Sequence, residues 1–308
     1  MPLSELQVPS SAQGGIITIG NFDGVHRGHQ AMLASLRTAA GQGGFPAVAL
    51  TFDPHPVTVL NPEIRLPRLT SIQTRTRLLK KFGADEVVVL PVNRQLLDMN
   101  PEDFFHRVVC DQLSAAGMFE GPDFRFGKDR RGDVDVLRHL CAERGMTLFV
   151  QQAVRAGEDM ISSTRIRRMM ESADFNGAVE LLGHPYTISG LVEKGSARGR
   201  TIGFPTANLS AFECLLPADG VYAARCCLDG RDYAAALNIG ANPTFREGSR
   251  KVECHIAGFS GDLYGRRLNV DILRRLRKLR RFEGEQALKE AIERDVSMCR
   301  DIFRDAQE

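Results

Sequence analysis

The sequence predicts an α/β protein in two parts, an N-terminal doubly wound parallel sheet and a C-terminal small antiparallel β-barrel with a closing helix. Three observations carry this reading. Up to about residue 183, short apolar runs alternate with segments of helical periodicity, as βαβ units do. Beyond "LLGHPY" at 181–186, short alternating stretches are split by Asp-Gly, Asn-Pro and Gly-Asp pairs, as in the hairpins of a closed sheet. At 308 residues the chain also exceeds the size of a usual single core, so two domains are expected, over 1–183 and 184–308.

In the first part, 16–19, 47–52 and 86–91 read as buried strands, and 30–40, 73–82 and 101–113 carry helical periodicity. In the second, 221–228, 233–239 and 251–259 alternate as strands, and an amphipathic helix over 283–304 closes the chain.

Composition narrows the function. An apolar share of 43% and a charged share of 25% are those of an ordinary globular protein with a normal core. The formal net charge of +2 gives no broad field for nucleic acid or a membrane surface, so neither partner is expected. No stretch reaches the roughly 18 apolar residues of a spanning helix, and residues 1–13 lack a signal peptide's basic start and apolar centre. The seven cysteines are odd in number, show no C-x-x-C spacing and sit mostly in apolar runs; they read as reduced structural thiols in the cytoplasm.

The stretch "GNFDGVHRGHQ" at 20–30 follows the first strand directly. Gly20, Gly24 and Gly28 allow a tight turn and close approach of backbone amides to a ligand. The next helix presents its positive dipole end there, a combination that binds phosphate. His26 and His29, at i and i+3, can face one point and donate to phosphoryl oxygens as charge builds. Glycine turns also serve packing alone, and a capping or core histidine is the plainer reading of either ring. In "ISSTRIRRMM" at 161–170, Ser162 or Ser163 suits a helix N-cap, and hydroxyls beside Arg165 and Arg167 make a receptor for pyrophosphate.

G-x-F-D-G-V-H-x-G-H with S-S-T-x-I-R resembles the nucleotidyltransferase superfamily, and within it the adenylyltransferase module of the bacterial bifunctional riboflavin kinase/FAD synthetases. "TFDPHP" at 51–56, "RLTS" at 68–71 and "GPDFRFGKDRRGD" at 121–133 extend the likeness almost end to end. The resemblance implies a Rossmann-like nucleotidyltransferase domain. It places ATP phosphates against His26 and His29 within the loop of Gly20, Phe22, Asp23, Gly24 and Gly28, pyrophosphate at Ser162, Ser163, Thr164 and Arg167, and FMN near Asp123, Phe124 and Phe126. Some family members have Asn where this chain has Asp123. The implied reaction joins FMN to the α-phosphorus of ATP, giving FAD and pyrophosphate, with Mg2+ bridging the ATP phosphates.

"KGSARGRTIGFPTANL" at 194–209 is rich in glycine and arginine and ends in Thr206 and Asn208. In an extended segment these two project to one side and can aim neutral oxygens at a magnesium ion, while glycine amides with Arg198 and Arg200 suit phosphates. A turn of small polar residues is the plainer reading. "KVECHIAGF" at 251–259 puts Glu253 and His255 on one strand face, where a carboxylate is commonplace; only the neighbouring Thr206 and Asn208 motif promotes Glu253 to a candidate general base.

This half resembles the family's riboflavin kinase module through G-F-P-T-A-N at 203–208, G-V-Y at 220–222, N-I-G-x-x-P-T-F at 238–245 and D-L-Y-G at 262–265. The resemblance implies a Mg-ATP site at Gly195, Arg198, Arg200, Gly203, Pro205, Thr206 and Asn208, with Glu253 activating the riboflavin 5′-hydroxyl toward the γ-phosphate. Six of the eight residues over 274–281 are basic, and the run matches a family stretch near the flavin, which implicates Arg277; Leu279 stands where a Glu is frequent. Two alternatives stay open at this stage: a riboflavin kinase alone, and a flavin- or RNA-binding regulator with degenerate sites.

Overall fold

Four consecutive apolar residues form strand β1, Ile16–Ile19, and all four side chains are buried, as expected of a strand covered on both faces. The computed structural model describes residues 8–152, 155–156, 159–195, 199, 202–242 and 247–306. The chain divides into two compact units, Met1–Leu66 with Ile72–Ser162, and Pro67–Ser71 with Ser163–Glu308.

In the first unit β1 is followed by α1 (Arg27–Gln42), β2 (Ala47–Asp53), α2 (Pro56–Leu60), α3 (Ile72–Lys81), β3 (Glu86–Pro91), α4 (Arg94–Leu97), α5 (Pro101–Phe104), β4 (Gly117–Glu120), α6 (Val134–Glu143), β5 (Thr147–Val150) and the hairpin strands β6 (Arg155–Ala156) and β7 (Asp159–Met160). The first five strands make one parallel sheet in the order β3-β2-β1-β4-β5, with Ile17 opposite Val48 on one side and Met118 on the other. Chain order runs outward in both directions from β1, so the crevice between the carboxyl ends of β1 and β4 is the switch point where ligands bind in such sheets.

The strands expected at 16–19, 47–52 and 86–91 are present, and β4 and β5 add two four-residue strands with no alternation to announce them. The helix expected over 101–113 begins as α5 and continues from Phe105 to Gln112 as a π-helix, with Phe105, Val108 and Val109 buried in the core.

The second unit opens with helices α7 (Ser163–Glu171) and α8 (Phe175–Leu182). Strands β8 (Tyr186–Glu193), β9 (Ala207–Ser210), β10 (Gly220–Leu228), β11 (Arg231–Asn242), β12 (Glu247–Ile256) and β13 (Arg267–Arg277) close into a barrel in the order β10-β11-β12-β9-β8-β13, and helix α9 (Glu285–Asp305) ends the fold. The barrel and closing helix match expectation. The basic run at 274–281 turns out to start inside β13.

Arg275 fastens this strand to α8: its N–H donates to Asn176 Oδ1 at 2.9 Å and its guanidinium to the carbonyls of Ala173 and Asp219. Phe175, fully buried, stands edge-on to Tyr186 and Tyr222. The segment Pro67–Ser71 belongs here too. Leu69, Thr70 and Ser71 are buried, the Arg68 carbonyl accepts the Leu215 N–H at 2.7 Å, and the Pro67 carbonyl accepts Arg167 Nε at 2.8 Å.

Removing the Phe175 ring empties space between two tyrosines that are themselves anchored to backbone. Phe175→Ala is expected to lower the second unit's stability by about 3–5 kcal/mol, read as a shift of that unit's urea transition.

Candidate active sites

Between β1 and α1 the backbone leaves ordinary territory. Phe22, Gly24 and Val25 all have positive φ, 47°, 84° and 38°. For a β-branched residue this is strained, and such strain persists only where surrounding structure holds it. Phe22 and Val25 are buried and provide that hold.

His26 caps α1, its Nδ1 accepting the His29 N–H over a long 3.4 Å. While Nδ1 accepts, a proton on the His26 ring sits on Nε2. The two imidazoles stack with centroids 3.6 Å apart and planes 17° apart, and Phe22 meets His29 edge-on at 5.1 Å. A Cβ on Gly28 would stand 3.2 Å from His26 Nδ1, so glycine is what lets the His26 ring lie across the first turn.

Beneath the pair, Arg75 of α3 and Asp23 form a buried ion pair at 3.3 Å. The guanidinium also donates to Thr51 Oγ1 and the Phe52 carbonyl. Burial first, then the charges of His26 and Arg75, holds the His29 pKa well below its usual 6.5, and its buried Nδ1 has no hydrogen-bond partner. At the switch point Glu120, 1% exposed, accepts the Ile19 N–H at 2.8 Å. Burial raises its carboxyl well above the usual range, outweighing that hydrogen bond.

Of the other expected residues in this unit, Phe124 and Phe126 stack at 5.4 Å, but Phe126 is buried in the core against Phe104 while Asp123 is exposed. Ser162 ends the first unit. Ser163 and Thr164 open α7 in the second, where Arg167 is buried and bonded to Pro67.

On the barrel, strand β12 lies between β9 and β11. Val252, Cys254 and Ile256 face its interior, leaving Lys251, Glu253 and His255 on the other face. Register sets Glu253 directly opposite Asn208 on one side and Asn238 on the other. The segment before β9 fits around the two expected oxygen donors. A Cβ on Gly195 would collide with the Asn208 amide, and one on Gly199 with the Phe204 carbonyl, at 3.3 Å from Thr206 Oγ1.

Gly203 turns the chain with a φ of 91°. Thr206 and Pro205 line a cavity of about 590 Å3 whose walls include Val192, Cys254, Ile256, Leu263 and Tyr264, with Ser260 and Asp262 as polar members. Hard neutral oxygens over a glycine cradle fit a magnesium ion shared with phosphates. Among the described residues no cluster of His, Cys, Asp and Glu could hold a metal by itself. Arg198 and Arg200 lie outside the described residues. Arg277 is engaged by Asp295 of α9, with both nitrogens of one edge on the carboxylate at 2.7 to 3.1 Å.

A family model described as FAD synthetase matches residues 8–165, and one described as riboflavin kinase matches 182–303. The chain belongs to the bifunctional riboflavin kinase/FMN adenylyltransferase family. The Pseudomonas fluorescens member is 39% identical over 289 residues, 94% of this chain and 93% of its own length. The Escherichia coli K12 member is 34% identical over 292 residues, again 94% and 93%. A crystal structure named as a macrolide-efflux protein from Streptococcus pneumoniae has the same fold. It is 29% identical, has a TM-score of 0.85, and the match covers 97% of this chain and 96% of that one. Among the described residues no helix is long and apolar enough to cross a membrane.

Sequence reading missed Arg75, Glu120, Asn238 and His255's partner. Arg75 sits among the charges of "QTRTRLLKK", where a buried guanidinium looks like a solvent-facing one. Glu120 ends an apolar run, a faint signal, and Asn238, which opens the N-I-G-x-x-P-T-F stretch, is placed opposite Glu253 only by strand register.

Two pH effects follow. Unfolded His29 takes up a proton near pH 6.5 and folded His29 resists it, so the first unit loses stability as pH falls below about 6.5. His29→Gln is expected to flatten that acid limb in urea titrations at pH 5, 6 and 7.5. Glu120 has the opposite sense: its folded carboxyl stays protonated where the unfolded one ionises, so its contribution is full below about 4.5 and declines as pH rises. Glu120→Gln, which keeps an acceptor for Ile19, is expected to gain stability over wild type at pH 8 and almost none at pH 4.

Proposed function

We propose that this chain phosphorylates riboflavin to FMN with ATP and then adenylylates FMN with a second ATP to give FAD and pyrophosphate. Adenylyl transfer is assigned to 1–183 and the kinase to 184–308. The reading is carried by the stacked His26–His29 pair on the N-terminus of α1, beside the switch point of a parallel sheet. Family membership across both halves supports it.

In the adenylyl transfer an FMN phosphate oxygen bonds to the α-phosphorus of ATP as the bond to the β-phosphate oxygen breaks, and pyrophosphate leaves. The attacking phosphate is already an anion, so the protein needs no nucleophile of its own; it supplies position and charge stabilisation. His26 Nε2–H and the neutral His29 ring donate to the phosphoryl oxygens. The loop of Gly20, Phe22, Asp23, Gly24 and Gly28 brings backbone amides to the phosphates. Ser162, Ser163, Thr164 and Arg167 receive the pyrophosphate, while Asp123 and Phe124 stand on the flavin side.

In the kinase reaction Glu253 takes the proton of the riboflavin 5′-hydroxyl, the freed oxygen bonds to the γ-phosphorus, and ADP departs. Thr206 Oγ1 and Asn208 Oδ1 would hold magnesium, whose charge, when it is bound, offsets that of the ATP phosphates. The cavity beside Thr206 accepts the nucleotide, and Asn238 flanks Glu253 on the side away from Asn208.

Within the basic run, the Arg275 and Arg277 side chains make hydrogen bonds inside the unit. The cytoplasm is the compartment we assign, consistent with seven cysteines that are all thiols.

The purified chain with riboflavin, ATP and magnesium is expected to produce FMN first and FAD later on a chromatographic time course; FMN accumulating alone would remove the adenylyl transfer. His29→Ala is expected to lower FAD formation by at least about a hundredfold, in line with loss of a transition-state donor, and to leave FMN formation intact. Glu253→Gln is expected to do the reverse, with FAD still formed from supplied FMN. Normal riboflavin phosphorylation by that variant would eliminate Glu253 as the base.

A further inference from the structure

His255 follows Glu253 by two residues on β12 and shares its outward face. Its Nδ1 lies 2.8 Å from the Pro205 carbonyl. A carbonyl only accepts, so the proton of this ring is on Nδ1. The ring also stands edge-on to Phe204 at 5.4 Å, and burial together with Arg300 of α9 lowers its pKa against the pull of the Pro205 bond. Phe204 in turn donates its N–H to the Gly199 carbonyl at 2.7 Å.

We propose that His255 is a positioning residue of the kinase site, tethering the segment before β9 through the Pro205 carbonyl and so fixing where Thr206 Oγ1 stands. The ladder between β12 and β9 pairs Glu253 with Asn208 and Cys254 with Ala207, then stops. One step further along the same register His255 is opposite Thr206, where the ladder offers no backbone pair to hold the chain. The histidine replaces the missing rung. Proline at 205 has no N–H to contribute, which leaves its carbonyl as the only backbone handle at that residue. One strand thereby carries both the proposed base and the anchor for the proposed metal ligand, and their spacing is set by the two-residue repeat.

The effect on catalysis rests on assigning Thr206 to the metal–ATP site; the tether itself does not. Hydrogen–deuterium exchange of the full-length protein, read on the peptide spanning 202–209, tests the tether without turnover. Faster exchange there is expected in His255→Ala and His255→Phe, with β10 and β13 unchanged. His255→Asn, whose amide N–H falls close to the position of Nδ1–H, is expected to restore slow exchange. In steady-state phosphorylation of riboflavin the alanine variant is expected to raise KM for Mg-ATP and the half-saturating Mg2+ concentration about tenfold, the worth of one net hydrogen bond, with kcat within about threefold. Unchanged exchange in His255→Ala, or no rescue by His255→Asn, overturns the tether. Thr206→Ala with normal phosphorylation overturns the metal assignment instead and removes the KM effect with it.

Discussion

Closure of the six-stranded barrel fixes the register of every strand pair in it, and with register the face on which each side chain emerges. A closed sheet has no edge at which a strand can slip without breaking bonds on both sides. On β12 the consequence is plain within three residues. Cys254 points inward, where burial holds its thiol well above the usual 9.0, while Glu253 and His255 on either side of it point outward among polar partners. A one-residue slip would bury a carboxylate and expose the core, so the geometry of the proposed kinase site and the stability of the barrel are one and the same constraint.

The first unit organises its site by a different route. Its sheet delivers β1 and β4 to a shared end, but the residues that matter follow the strand, in a loop with three positive φ values and a buried ion pair underneath. A pair such as Arg75–Asp23 adds little net stability once desolvation is counted. What it does is hold the Arg75 guanidinium in place near His29, where it adds to the larger effect of burial in keeping that ring's pKa low. The unpartnered Nδ1 of His29 belongs to the same economy: a polar atom kept dry and unsatisfied in the protein alone is positioned for a group that arrives later.

The fold class was legible because long, regular patterns report burial directly. The run at 16–19 is apolar throughout because both faces are covered, and 251–256 alternates because one face is not. Short elements escaped: Gly117–Glu120 and Thr147–Val150 each offer four residues, too few for a period to show. At the proposed sites, His26 and His29 could be picked out as candidates by type and spacing, and Glu253 only through the motif next to it. Residues that act through a partner distant in sequence could not. Arg75 meets Asp23 from 52 positions away, and Arg167 meets Pro67 from 100. Arg277, read from the sequence as a ligand contact, is occupied by Asp295, a residue of the closing helix that no local pattern linked to it.

The second unit is not one continuous length of chain. Five residues made early, Pro67–Ser71, contribute the carbonyls that take up the Leu215 N–H and the Arg167 guanidinium. During synthesis these residues leave the ribosome well before the barrel they serve exists, so their last hydrogen bonds must wait for sequence not yet translated. No single cut in the backbone separates the two units with each left whole.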